Sequence, residues 1–245
     1  MKIKYFSSFS LIVLMLFFSH TASAQKYKVL VFSKTAGFYH QSIQVGVPAI
    51  QKLGAQNKFI VDTTTNADRF TTANLVQYAA VIFLNTTGDV LNPQQQEAFE
   101  KYIRSGGGFA GVHSATDTEY GWPWYGKLVG AYFVNHPEQQ QATLQVVNRK
   151  TIATKHLPQT WVRKDEWYNF KDIQADLEVL IKIDELSYKG GSNGSDHPIA
   201  WYHNYDGGRS FYTELGHTAA SYEDPLFLKH LLGGIQYAMG QKRII

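Results

Sequence analysis

Residues 79–84, Ala-Ala-Val-Ile-Phe-Leu, are apolar without a break. A strand with one wet face alternates apolar and polar residues. An unbroken run of this length is instead the pattern of a central parallel strand covered on both faces. The neighbouring segments continue the theme. Residues 27–32 read as a first strand, and Ser42 opens a helix whose apolar positions Ile43, Val47, Ile50 and Leu53 fall near helical spacing up to Gly54. A second strand is expected near 58–61 and a short helix near 74–78. Asn92-Pro93 with Gln95 predicts a capped helix start, Phe99, Tyr102 and Ile103 its inward stripe, and Gly106 its end. A strand over 108–112 then leads to His113. This β-α-β-α-β alternation predicts an α/β fold: a doubly wound, mainly parallel sheet with ligands at the C-terminal ends of its strands.

The second half reads differently. Residues 121–133 are aromatic and Gly-rich, a loop and a helix. Strand-like runs follow at 142–147, 167–170, 179–183, 199–202 and 210–215, so additional β-strands are expected in the C-terminal half. Tyr205-Asp206-Gly207-Gly208 has the composition of a hairpin turn, and Asp224-Pro225 opens a last helix. No internal repeat or Pro- or Ser-rich linker divides the chain, so residues 25–245 are read as one domain.

The N-terminus has the layout of a secretory signal peptide over residues 1–24. Lys2 and Lys4 precede an apolar run at 11–18, and Ala22-Ser23-Ala24 is a small-x-small cleavage site before Gln25. The run is too short to span a membrane comfortably. A secreted or periplasmic protein is expected, with no membrane insertion after cleavage. Removing 24 of 245 residues leaves 221, enough for a single α/β domain. The loss of Lys2 and Lys4 lowers the formal charge from +3 to +1, so nothing in the balance favours nucleic acid. Composition leaves the oligomeric state open.

The residues with chemistry to offer lie at the expected strand ends. Gly111-Val112-His113-Ser114-Ala115 reads as a strand ending in an abrupt turn, a corner that in α/β enzymes often presents a nucleophile. Here the exposed position falls to His113, and the chain has no cysteine. Acid/base or metal chemistry is therefore expected in place of thiol attack. Leu215-Gly216-His217-Thr218 ends a strand in the same way. Eight histidines follow Ala24, but none belongs to an HExxH or other tight metal motif, so a divalent-metal site would have to be assembled from distant segments.

His40 sits in a loop at a helix start, where it can meet a substrate oxygen or simply bond backbone. Asp117 and Glu119 can orient an imidazole, or can be a solvated helix start. Asp165-Glu166 reads as an acid pair opening a strand, either an acid/base or a charged strand edge. His156, His197, His203 and His230 have bland contexts. The 15 Tyr, 15 Phe and 5 Trp fill a core or line a sugar-binding cleft, with Trp122, Trp124 and Trp167 as candidate stacking faces.

Taken in order, Gly37-Phe38-Tyr39-His40-Gln41-Ser42-Ile43, Gly107 to His113, Asn135-His136-Pro137, Asp165-Glu166-Trp167-Tyr168, Pro198 to Trp201 and Gly207 to Thr218 resemble the trehalose-utilisation, or ThuA-like, family. The family usually has Asp-Glu-Leu-Tyr where this chain has Asp-Glu-Trp-Tyr. The resemblance implies a flavodoxin-like fold of the class I glutamine amidotransferase type. It also implies a cleft containing His40, His113, His136, Glu166 and His217, and a role in processing disaccharides or their keto derivatives. Amidotransferase activity itself is excluded on chemical grounds, because His113 stands where those enzymes carry their cysteine.

Three functions follow as expectations. The first is a carbohydrate-active hydrolase, lyase or isomerase with His113, Glu166 and His217 as catalytic groups. His40, Tyr39, His136, Asp117, Trp122 and Trp167 would then bind a small carbohydrate substrate. The second is a non-catalytic carbohydrate-binding or scaffolding protein. The third is a metal-dependent hydrolase with His113, His40, His217 and Glu166 as candidate ligands.

Overall fold

The computed structural model describes Met1 and residues 27–244, so the expected leader lies, Met1 aside, outside the described residues. Among the described residues eleven strands are formed, β1 (Lys28–Phe32), β2 (Ile60–Thr64), β3 (Ala80–Leu84), β4 (Gly108–Val112), β5 (Tyr132–Asn135), β6 (Gln140–Val146), β7 (Thr160–Asp165), β8 (Asn169–Lys171), β9 (Glu178–Asp184), β10 (Pro198–Tyr205) and β11 (Gly208–Thr213). Nine of them make one mixed sheet in the order β2-β1-β3-β4-β11-β10-β9-β6-β7, and β5 pairs with β8 alone. The first five strands of that order run parallel, and the remainder are antiparallel. The fold is thus a doubly wound α/β sheet with an antiparallel extension from the C-terminal half.

The sheet is covered on both faces because its central strands are apolar on both. Val29, Val31, Ala80, Ile82, Ala110 and Val112 join one core with α1 (Ile43–Asn57) and α5 (Pro225–Ala238). Leu30, Phe32, Val81, Phe83 and Phe109 join the other with α2 (Thr72–Leu75), α3 (Pro93–Arg104) and α4 (Pro123–Val129). The two-residue period of a strand sends alternate side chains to opposite cores.

Local signals set the element ends. Asn92 accepts from Gln95 N while the Gln95 side chain accepts from Asn92 N, a complete capping box before Pro93. Asp206 and Gly207 take φ of 48° and 89° and close the two-residue β10–β11 hairpin. Ser42, expected as the cap of α1, does not cap it; it is itself helical, and its Oγ accepts from Asn85 Nδ2 at 2.9 Å. The helix also continues past Gly54 to Asn57, with Lys58 in the left-handed region as its C-cap. Strands β5 and β7 have no counterpart among the expected strands: β5 begins inside the stretch read as a loop and a helix, and Arg163 and Lys164 interrupt the apolar alternation of β7.

Among the described residues no helix is long and apolar enough to cross a membrane. His230 of α5 illustrates a purely structural histidine. It is fully buried, and its Nδ1–H donates to the Ala153 carbonyl at 2.9 Å. Burial, with the charges of His156 and Arg163 adding to it, lowers its pKa from 6.5 to about 4. Between those values the unfolded chain binds a proton that the folded one refuses, so stability falls as pH drops from 6.5 towards 4. The expected loss is about 3 kcal/mol. Denaturant titrations across that window check it, with His230→Gln expected to flatten the slope; an unchanged slope would rule the assignment out.

Candidate active site

The C-terminal ends of β1, β3, β4 and β11 face one side of the molecule, and the loops leaving them carry most of the site. His113 follows β4 directly. It takes φ of 50°, a left-handed conformation that a non-glycine residue adopts at some energetic cost. The surroundings hold it there: Tyr212 Oη donates to its carbonyl at 2.8 Å, and its Nδ1–H donates to the Glu214 carbonyl at 2.7 Å. A carbonyl only accepts, so Nδ1 carries the proton and the Nε2 lone pair points the other way. The corner that follows is a single 3-10 turn, His113–Thr116, and the next α-helix waits until Pro123.

Nε2 of His113 faces three groups drawn from distant segments. Tyr168 Oη lies at 2.9 Å, His217 Nδ1 at 3.1 Å and Glu166 Oε2 at 3.3 Å. Glu166 Oε2 is also 3.1 Å from His217 Nδ1, and its Oε1 is 3.4 Å from His136 Nδ1. The His40 ring completes the cluster, its centroid 4.8 Å from that of His113 and 5.2 Å from that of His217, nearly perpendicular to both. Above the cluster opens a cleft of about 330 Å³ lined by Phe38, His40, Asp117, Phe133, His136, Gln139, Glu166, Tyr168 and His217. Larger grooves, near Asn92 and Lys101 and near Val147 and Leu186, contain no histidine among their lining residues.

Electrostatics separates the two cleft carboxylates. Burial alone would raise the Glu166 pKa, but the neighbouring imidazoles of His113 and His217 outweigh it and hold the group well below the usual carboxylate range. Asp117 moves the opposite way: burial raises its pKa, and neither the Tyr120 hydroxyl, which donates to Oδ1 at 2.7 Å, nor the histidines offset it. His40 is driven down to about 3, first by burial and then by His113 and His217. Beneath the cleft, burial drives the Glu214 carboxyl well up, and its Oε1 accepts the Tyr168 N–H at 2.7 Å.

The expected site residues therefore divide. His40, His113, Glu166 and His217 meet, and His136 and Asp117 stand at the wall. His113 has no exposed surface, so it contacts a substrate only through Glu166, His217 or Tyr168. Tyr39 is exposed and is not among the cleft-lining residues; Phe38 beside it is. Trp167 and Trp122 are corrections to the expected stacking faces. Trp167 is fully buried with its indole N–H on the Gln140 carbonyl, and Trp122 packs in the α3–α4 core with its N–H on Glu100. Trp124 donates to Asp206, also away from the cleft. Glu119 does not orient His113. Its carboxylate accepts from Val90 N, Leu91 N and Gln96, which ties down the loop after β3.

Asp165 ends β7 and does not open a strand. It is a fully buried structural acceptor, bonded to Arg163, Ser221, Gly216 N and Glu166 N. Sequence reasoning passed over Tyr168, Gln139 and Glu214. Tyr168 stands in the Asp165-Glu166-Trp167-Tyr168 motif and Glu214 directly follows the buried strand β11; Gln139 carries no such signal. His197, in a bland context, bridges Glu185 and the Tyr168 carbonyl, each at 2.8 Å.

Residues 28–238 match the family described as ThuA, trehalose utilisation. Among solved structures, a ThuA-like protein from Bacteroides uniformis ATCC 8492 aligns with a TM-score of 0.76 at 24% identity, over 91% of this chain and 95% of that one. A ThuA-like protein from Parabacteroides merdae ATCC 43184 aligns at 0.71 and 21% identity, over 89% and 91%. A β-galactosidase from Bacillus circulans sp. alkalophilus aligns at 0.56 and 15% identity, over 87% of this chain but 31% of its own. At these identities the likeness shows the fold alone. No curated protein matches the sequence.

Proposed function

The chain belongs to the ThuA, trehalose-utilisation, family, and from that premise we propose that it is an enzyme acting on keto derivatives of disaccharides or related glycosides by proton transfer. The observation that carries this reading is a cleft lined by two carboxylates in unlike surroundings, Asp117 beside the Tyr120 hydroxyl and Glu166 among the imidazoles of His113, His136 and His217, so that burial pushes Asp117 up and the imidazoles hold Glu166 down. Such a split assigns roles. Asp117, whose pKa burial raises, exchanges the proton. Glu166 stays ionised and holds the imidazole cluster in place.

A keto group at C3 of a sugar acidifies the C2–H. Asp117 takes that proton, and the electron pair moves onto the carbonyl oxygen, where the imidazole cluster stabilises the developing charge. The pair then returns and forms the C1–C2 double bond as the C1–oxygen bond breaks. The departing oxygen takes the proton back from Asp117. The products are an unsaturated keto sugar and a free alcohol, with no water consumed and no covalent enzyme intermediate. Phe38 and Phe133 supply apolar faces for the sugar, and the cleft volume lies at the small end of the range for small-molecule sites.

Incubating the purified protein with a p-nitrophenyl 3-keto-glucoside in deuterated buffer tests the reading. Release of p-nitrophenol with loss of the C2–H and formation of the unsaturated keto sugar is the expected result, deuterium entering C2 only in substrate that has not yet eliminated. Binding without release, or release by hydrolysis with C2–H retained, would overturn it.

A further inference from the structure

We infer that His40, His113, His217 and Glu166 form a binding site for one divalent transition-metal ion of the zinc class. Four potential donor atoms, one from each residue, lie within 4.8 Å of one another. Three of the six separations are shorter still: His113 Nε2 to His217 Nδ1 at 3.1 Å, His113 Nε2 to Glu166 Oε2 at 3.3 Å and His217 Nδ1 to Glu166 Oε2 at 3.1 Å. Tetrahedral coordination with metal–nitrogen and metal–oxygen bonds of about 2.1 Å places neighbouring donors about 3.4 Å apart. These three donors are already close to the edges of such a polyhedron.

Lone-pair bookkeeping points the same way. His113 spends its single neutral-state proton on the Glu214 carbonyl, so its Nε2 is an acceptor facing a carboxylate oxygen and another imidazole nitrogen. Acceptors converging at such distances repel unless a proton or a cation lies between them. Tyr168 Oη, at 2.9 Å, can supply one proton to Nε2 but leaves the Glu166–His217 face to be served separately.

The outer partners of metal-bound imidazoles are present as well. His113 Nδ1 has the Glu214 carbonyl, His217 Nε2 has the Gln139 side-chain amide at 2.8 Å, and His40 Nδ1 has Ser114 Oγ at 3.4 Å. Gln139 can turn its amide so that the oxygen accepts Nε2–H, which frees His217 Nδ1 for a metal. Three imidazoles and one carboxylate suit zinc, cobalt or nickel and disfavour calcium and magnesium, which take oxygen. The segments involved, the loop after β1, the end of β4, the loop after β7 and the loop after β11, meet only in the folded chain, so metal binding is expected to stabilise the fold.

The test uses tag-free protein and reads no activity, which keeps it separate from the elimination chemistry. After chelator treatment and its removal, Co²⁺ is titrated in while the visible spectrum and Tm are followed. The expected result is saturation at one equivalent, the intense d–d bands of a four- or five-coordinate ion, a raised Tm, and displacement by Zn²⁺. Glu166→Gln and His40→Ala are expected to weaken binding at least tenfold. Absence of those bands in the wild-type protein, or binding unchanged by both substitutions, would overturn the inference. The wild-type spectrum decides the matter should either variant fail to fold.

Discussion

Asp117→Asn is expected to lower kcat on a keto-glycoside by about a hundred- to ten-thousandfold, the range typical for loss of a general acid–base, with KM changed far less. The substitution keeps the shape and leaves an acceptor for the Tyr120 hydroxyl, which now donates to Oδ1 at 2.7 Å. It removes the titration. In the wild-type protein the base is active only when ionised, so activity falls as pH drops through the Asp117 pKa, and burial places that limb above the usual aspartate range. In the variant the limb should vanish from whatever rate remains.

Glu166→Gln is expected to fail differently. The carboxylate lies within 3.1–3.4 Å of His217, His113 and His136, so its loss removes the anion holding the imidazoles together. Turnover should fall with the acidic limb still in place. Rate–pH profiles of the three proteins check both results. An Asp117→Asn protein with wild-type kcat would remove the proton carrier from the mechanism.

Asp165→Ala is expected to be the most damaging substitution for the fold among the site's supporting residues, at about 3–5 kcal/mol. Asp165 is fully buried, and its Oδ2 accepts from Arg163 Nη2 at 3.2 Å, Ser221 Oγ at 3.0 Å and Gly216 N at 3.3 Å. Without it, the largely buried Arg163 keeps Asp224 as its charged partner among the described residues. For a domain of this size the penalty corresponds to a Tm lower by roughly 10 °C. The damage reaches the site, because Gly216 precedes His217 and the Glu166 N–H donates to Asp165 Oδ1 at 3.1 Å. Gly216 itself has φ of 116°, a region that favours glycine, and a Cβ there would sit 2.9 Å from Tyr222 Oη. Thermal denaturation of Asp165→Ala and Asp165→Asn checks this, the asparagine variant falling between alanine and wild type. An alanine variant within 1 kcal/mol of wild type would contradict it.

Features governed by adjacent residues were legible in the sequence. The Asn92–Gln95 capping box, the Asp206-Gly207 hairpin turn and the apolar central strands all depend on neighbours a few positions away. His113 and His217 were legible for the same reason, each following a buried strand beside small residues. Strand β7 was not, because as a sheet edge it tolerates Arg163 and Lys164, and its register comes from pairing with β6. The tryptophans misled because a large aromatic ring serves a core and a cleft equally well. Trp122 and Trp167 are committed to the interior by packing from residues far away in sequence.

By itself, then, the sequence determined the order of elements in the first half, the class of sheet and the strand ends at which histidines stand. Those follow from periodicity and capping, which act over a single turn or strand. Only the tertiary structure decided that Glu166, carried in after β7, meets His113, His217 and His40. It also decided that Asp165 is a buried staple while its neighbour enters the site, and that Asp117 and Glu166 differ in proton affinity. Burial and distance between remote segments set those properties, and neither is a quantity that any short stretch of chain contains.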